Sequence, residues 1–310
     1  MQKIYEIKNV LLCGLGGLGC ICAAAIKNSS AANLKILVDK ERYERYTKTY
    51  TCFNSKPYIF EYITPEDDSY KADLVIIATK NDGLDFAINN VEKFVHKDTI
   101  YISLLNGIHS EKKLSDKYGN RNIVTAFYLG HSCIRNGRNI FQDGIYQIVT
   151  GIENSIQEPA LDAICTFFSK AGIKYKVSEN ILEEYWKKFM INVGINQLCA
   201  VTNKTLKEIK EKPSLVQKLK DIIEEVEIIA EKEGIENHKQ ITQAALNFLL
   251  EEIEDAQPSM LQDIRAGRKT EVDIFAGEII RLAEKYNVNV PFNIEIYKKI
   301  RELENKRIYI

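Results

Sequence analysis

The chain has 310 residues, enough for two domains that each bury a core. Apolar residues make up 45% and charged residues 27%, the balance of an ordinary globular protein. With 42 basic and 43 acidic side chains the net charge is -1, which excludes the basic excess of a nucleic-acid surface, and no apolar run reaches the roughly 18 residues of a membrane span.

The first residues, Met1-Gln2-Lys3-Ile4-Tyr5-Glu6-Ile7-Lys8, alternate charge and apolarity and lack the apolar centre of a signal peptide, so the cytoplasm is the expected compartment. Residues 8–13 form a short apolar run that ends in glycines and read as a buried strand. Residues 18–28, rich in Ala, Ile and Cys, read as a helix, 34–38 as a second strand and 73–78 as a third. A helix over 83–95 and a strand over 99–105 follow, then strands at 123–129 and 145–150 around a Gly- and Asn-rich stretch. Strands that alternate with helices need crossover connections and so imply a parallel sheet. Beyond residue 178 the pattern changes: 179–200, 214–233, 238–255 and 271–287 space their apolar residues by three and four, the period of helices. The expected fold class is α/β, with a Rossmann-type parallel-sheet domain over 1–178 and an all-helical domain over 179–310. Ser178 is placed to cap the first long helix.

Seven cysteines, an odd number, and no C-x-x-C pair argue against a disulfide framework. The four histidines, His96, His109, His131 and His238, are scattered, so no metal site is expected.

Gly14-Leu15-Gly16-Gly17-Leu18-Gly19 matches G-x-G-x-x-G between an expected strand and an expected helix, the context that makes this short pattern informative. In such a turn the first glycine permits the bend, the second lets backbone approach a pyrophosphate, and the third lets helix and strand pack closely. The helix start adds N–H groups and partial positive charge for phosphate. Asp39 closes the second strand, where an acid hydrogen-bonds the adenosine ribose and favours NAD. Lys40 and Arg42 follow at once and offer cations to a 2′-phosphate, or else all three form a solvated charge cluster.

Lys188, Asn192 and Asn196 stand at i, i+4 and i+8 on a helix whose other residues, Phe189, Met190, Ile191, Val193 and Ile195, are apolar. Each four-residue step turns about 40° past a full circle, so the three share one stripe. Polar groups on a buried stripe are costly unless partnered. A ligand would be one partner and an interhelical hydrogen-bond network another. The segment 257–273 is polar, carries Ser259, and leads into the expected helix at Glu271, with Lys269 or Thr270 at its cap.

These pieces, in this order, resemble the ketopantoate reductases (2-dehydropantoate 2-reductases). The resemblance rests on the glycine turn, Ala78-Thr79-Lys80, Leu105-Asn106-Gly107, Lys188-x-x-x-Asn192-x-x-x-Asn196, and Ser259-Met260-Leu261-Gln262-Asp263-Ile264-x-x-x-Arg268-x-Thr270-Glu271. It implies a reductase that turns 2-dehydropantoate, or a similar branched 2-oxo acid, into the 2-hydroxy acid with a nicotinamide dinucleotide. By resemblance Lys188 is the general acid and Glu271 its catalytic companion. Asn106, Asn192, Asn196 and Ser259 bind substrate. Gly14 through Gly19, Asp39, Lys40, Lys80, Asn106 and Glu271 line the cofactor. The resemblance favours NADP(H), while Asp39 keeps NAD(H) open. A related 3-hydroxyacid or opine-type dehydrogenase, and a dinucleotide-binding sensor without catalysis, are the competing readings. The expected partner is the small 2-oxo acid, with neither nucleic acid nor membrane, and a closed homodimer is compatible with such a chain.

Overall fold

Short apolar runs bounded by polar turns become the strands of one parallel sheet in the computed structural model, which describes residues 5–130 and 133–306. The ends of both expected domains, 1–4 and 307–310, and His131 lie outside the described residues. The strands are β1 (Asn9–Cys13), β2 (Asn33–Leu37), β3 (Glu61–Ile63), β4 (Leu74–Ile77) and β5 (Ile100–Ser103), in the spatial order β3-β2-β1-β4-β5. Every pairing in it is parallel, with Leu12 of β1 level with Ile36 of β2 and Ile76 of β4. All residues of β4 and β5 are buried, as in a sheet covered on both faces. The chain leaves β1 towards β2 on one side and returns to β4 on the other. That reversal of strand order creates the crevice in which such sheets bind ligands, beyond the carboxyl ends of the strands.

Two smaller sheets accompany the parallel one. One joins Thr125–Gly130, Tyr146–Gly151 and Tyr175–Val177, and Ile123 extends its first strand to pair with Tyr101 of β5. The other, of Lys56–Tyr58, Thr51–Phe53, Asn139–Phe141 and Ile134–Asn136, was not legible in the sequence. Its strands have three residues each, too short to show a period, and the stretch around Gly137 reads as loop because glycine and asparagine dominate it.

The chain divides into two compact units: Met1–Leu105 with Ser110–Ile181, and Asn106–His109 with Leu182–Ile310. The second unit is helical, built from Pro213–Lys232, His238–Asn247, Ala276–Tyr286, Pro291–Asn305 and shorter pieces around a core that includes Trp186, Phe189, Met190, Ile223 and Phe275. Trp186 and Phe189 meet edge to face at 5.7 Å, and burying Phe189 contributes roughly 1.5–3 kcal/mol. Buried Glu225 accepts the N–H groups of Phe292 and Asn293 at 2.8 and 2.9 Å, which satisfies orphan donors at the start of Pro291–Asn305.

Three of the long helices expected from the sequence are interrupted. The 179–200 stretch runs as an α-helix over Ile181–Ile191, widens into a π-helical segment over Asn192–Asn196, and resumes over Gln197–Thr202. The 238–255 stretch ends its α-helix at Asn247 and widens over Phe248–Glu252. The expected helix from 271 begins only at Ala276, after a 3-10 turn over Val272–Ile274. Thr270 does not cap that helix, whose N-cap position is Phe275; its N–H and hydroxyl donate to Glu304, and its oxygen accepts the Val272 N–H at 3.3 Å at the start of the 3-10 turn.

Candidate functional site

In the first unit, the turn after β1 carries the fingerprint glycines. Gly14 has φ +99°, and a Cβ there would lie 2.6 Å from the Ala78 carbonyl oxygen of the neighbouring strand end. A Cβ on Gly19 would lie 2.0 Å from the Gly14 carbonyl oxygen, so helix and turn meet without room for a methyl group. Gly16 differs: the nearest protein atom to a Cβ there is 4.0 Å away. The helix Gly17–Ser29 that follows has no side-chain cap and no acid in its first turn. Its first N–H groups are thus left to an anion. The Thr79 hydroxyl at the end of β4 is buried without a protein partner. Open space over Gly16, an uncapped helix start and an orphaned hydroxyl fit a dinucleotide pyrophosphate.

Asp39 follows β2 and caps the helix Lys40–Tyr46, accepting the Arg42 N–H at 2.7 Å and pairing with the Arg42 guanidinium. Lys40 is exposed, as is Lys80 just after β4.

In the second unit the structure brings together residues far apart in sequence. Lys188, in the last turn of Ile181–Ile191, donates from Nζ to Oδ1 of Asn106 at 3.2 Å. Asn106 turns its other face to Glu271, donating from Nδ2 to Oε2 at 3.0 Å. One amide therefore stands between cation and carboxylate, with its acceptor towards the ammonium and its donors towards the acid. Asn106 is held by its neighbour: Gly107 has φ +89° and packs on the Ile274 carbonyl, 3.2 Å from where a Cβ would stand.

Asn192 and Asn196 open and close the π-helical segment, and Asn196 Nδ2 donates to Asn192 Oδ1 at 3.3 Å. Single π turns of this kind recur at functional positions, because the wider turn re-aims side chains and frees a carbonyl. Here the side chain of Gln197, fully buried, donates to the Val193 carbonyl at 2.8 Å and accepts the Ala276 N–H at 3.0 Å. Sequence reasoning gave Gln197 no role. The available signal was a glutamine next to Asn196 in an apolar helix, where a buried amide must find partners. Ser259 begins the short helix Ser259–Arg265, which packs against Gln197–Thr202 and the π segment. Among the described residues no three His, Cys, Asp or Glu side chains are grouped to hold a metal ion.

The chain is similar to known proteins along most of its length. The family model described as "Ketopantoate reductase PanE/ApbA" matches residues 10–154, and "Ketopantoate reductase PanE/ApbA C terminal" matches 180–304. A 2-dehydropantoate 2-reductase of Pyrococcus horikoshii is 28% identical over 244 residues, covering 76% of this chain and 77% of its own. Among solved structures, D-mandelate dehydrogenase with NADH and anilino(oxo)acetate superposes with a TM-score of 0.82 at 21% identity, over 97% of this chain and 99% of that one. The 2-dehydropantoate 2-reductase of Geobacter metallireducens does so with 0.78 at 17% identity, over 95% and 99%.

Proposed function

The chain belongs to the ketopantoate reductase family, and from that premise we propose that Lys188 is the general acid in the reduction of 2-dehydropantoate or a similar branched 2-oxo acid. The enzyme is a nicotinamide-dependent oxidoreductase. A reduced nicotinamide dinucleotide, when bound, supplies the hydride for the ketone carbon. The residues of this chain supply the rest. The turn Gly14–Gly19 and the start of the helix after it hold the pyrophosphate. Lys188 gives a proton to the ketone oxygen as negative charge develops there, and its own charge stabilises that oxygen until the proton arrives.

The observation that carries this reading is the run from Lys188 through Asn106 to Glu271. A lone lysine on a helix swings freely. Here one N–H is tied to an amide that is itself tied to a carboxylate, so the amine is aimed. Asn192, Asn196 and Ser259 offer amide and hydroxyl groups to the carboxylate and hydroxyl of the substrate.

Asp39 favours NADH in this chain. Its carboxylate caps the helix and pairs with Arg42, which holds a negative charge at the end of β2 against a 2′-phosphate, whereas a free 2′-hydroxyl would donate to it. The likeness to a D-mandelate dehydrogenase solved with NADH and an oxo acid supports the same choice, and supports a 2-oxo acid over the 3-hydroxyacid and opine readings.

The test is oxidation of NADH and of NADPH with 2-dehydropantoate and a panel of other 2-oxo acids, in the parent and in Lys188→Ala. The expected results are a higher kcat/KM with NADH and a loss on the order of 10²- to 10⁴-fold in kcat for the variant. Unchanged turnover of Lys188→Ala at saturating substrate removes the lysine from the mechanism. Cofactor binding without turnover of any 2-oxo acid by the parent would favour the sensor reading.

A further inference from the structure

Glu271 lies in a turn that its own helix does not hold. The helix it was expected to open starts at Ala276. What holds the turn instead is the far end of the helix Pro291–Asn305. Glu304 Oε1 accepts both the N–H and the hydroxyl of Thr270, each at 2.7 Å, immediately before Glu271. On the other side of Glu271, Asp273 accepts from the Tyr297 hydroxyl at 3.0 Å and pairs with the Arg301 guanidinium. Arg301 also donates to Glu304 Oε2 at 2.7 Å, so the two anchors are joined to each other. Burial would raise the Glu304 carboxyl, but the bonds from Thr270 and Arg301 outweigh it and hold the group below the ordinary carboxylate value.

We infer that Glu304, with Arg301, is a positioning residue for the reaction: it clamps Thr270 and Asp273 so that Glu271 meets Asn106 and, through it, aims Lys188. This rests on the reading of Lys188 as general acid. Asn106 can serve cation and carboxylate together only if Glu271 stays within hydrogen-bond distance of its amide. A turn of one 3-10 helix cannot fix that distance alone, because so short an element has little cooperativity of its own. Three side chains, Tyr297, Arg301 and Glu304, on the fifteen-residue helix Pro291–Asn305, anchored by buried Ile296 and Ile300, can. A displacement of about 1 Å in such a supporting group is enough to lower a rate on the order of 10²-fold.

The experiment measures kcat, KM and thermal midpoint for Glu304→Ala, Glu304→Gln and Glu271→Gln, and for the double variants. The expected results are these: kcat falls on the order of 10²-fold in Glu304→Ala, and Glu304→Gln, which keeps an acceptor for Thr270, recovers much of the loss. In a Glu271→Gln background the Glu304→Ala change should cost little more, since a residue that acts through Glu271 has nothing left to position. Should Glu304→Ala fail to fold, Glu304→Gln and Thr270→Val carry the same comparison. Normal kcat in a folded Glu304→Ala, or losses that multiply in the double variant, overturns the clamp. If Lys188→Ala itself turns over normally, the parent reading has failed instead, and the two failures are told apart by that one control.

Discussion

Gly16 and Gly19 sit three residues apart in the same turn and should answer the same substitution in opposite ways. A methyl group on Gly19 would press on the Gly14 carbonyl at 2.0 Å, whereas one on Gly16 meets only the Ala78 carbonyl oxygen, at an unstrained 4.0 Å. Gly19→Ala is therefore expected to lower the thermal midpoint, through overpacking of the kind that costs about 1–3 kcal/mol. Gly16→Ala should leave that midpoint within a degree or two, roughly the span of a neutral surface change, yet raise the Kd for dinucleotide at least about tenfold by standing where the pyrophosphate must come close. Calorimetric melting and titration with NADH check both. A Gly16→Ala protein that binds NADH as tightly as the parent would return the turn to a purely structural role. Both glycines were legible in the sequence as members of one motif. Their division of labour was legible too, from their places in the motif; the atoms that crowd the turn, the Gly14 carbonyl for Gly19 and the Ala78 carbonyl for Gly14, were not.

At the level of elements, the widened turn over Asn192–Asn196 is the feature that periodicity could not show. The i, i+4, i+8 reading assumed a uniform α-helix, and the sequence of a π turn differs from one in no residue type. Gln197 stabilises this irregularity by bonding the Val193 carbonyl on its own helix and the Ala276 N–H at the start of another. Gln197→Leu keeps the volume and removes both bonds. It should cost about 1–3 kcal/mol, the penalty for leaving buried polar groups unpaired, and it should lower kcat as well, because the asparagines lose the turn that aims them. A urea titration read alongside steady-state rates measures the two effects. Full stability in Gln197→Leu would show that the π turn needs no such brace. The helix at Ala276 starts late because the residues after Thr270 close a 3-10 turn first, with the Val272 N–H bonded to the Thr270 oxygen while the Thr270 hydroxyl donates to Glu304.

For the molecule as a whole, acid should act on the helical unit. Glu233, Asp255, Glu295 and Glu304 all lie there, and each is held below its ordinary value. For Glu233 and Glu304, burial pushes the other way and is outweighed by hydrogen bonds from Tyr286 and Thr270. For Asp255 the leading cause is the Lys207 N–H, and for Glu295 it is the Lys218 ammonium. A carboxyl whose value falls on folding binds protons more tightly when unfolded, so its stabilisation is complete above the ordinary values of 4.5 and 3.8 and is lost as pH drops through the folded values. Glu225 has the opposite sign: burial raises it, and its ionisation as pH rises costs stability. Glu208 is lowered as well, chiefly by the Thr205 N–H. Five lowered groups against one raised, set beside the lowered Glu66 of the first unit, should give a helical unit that loses amide protection on acidification before the parallel sheet does, followed by hydrogen exchange across pH. Equal loss in both units would contradict it. The thiols should not complicate that measurement, since burial pushes Cys13, Cys20, Cys22 and Cys199 up to about 12 and keeps them protonated.

By itself the sequence determined the α/β class, the glycine turn at the end of β1 and the family, because each rests on short-range pattern: apolar period, glycines at fixed spacing, and a polar stripe on an apolar helix. Left to the tertiary structure are how Asn106, Lys188 and Glu271 share one chain of hydrogen bonds, that Gln197 ties the widened turn to the start of Ala276–Tyr286, that Glu304 holds Thr270, and that Asp39 is a cap. Those facts are contacts between residues tens to well over a hundred positions apart, or choices between rival hydrogen-bond partners. Such choices are settled by which group can reach, at what distance, once every other buried polar group has also been satisfied.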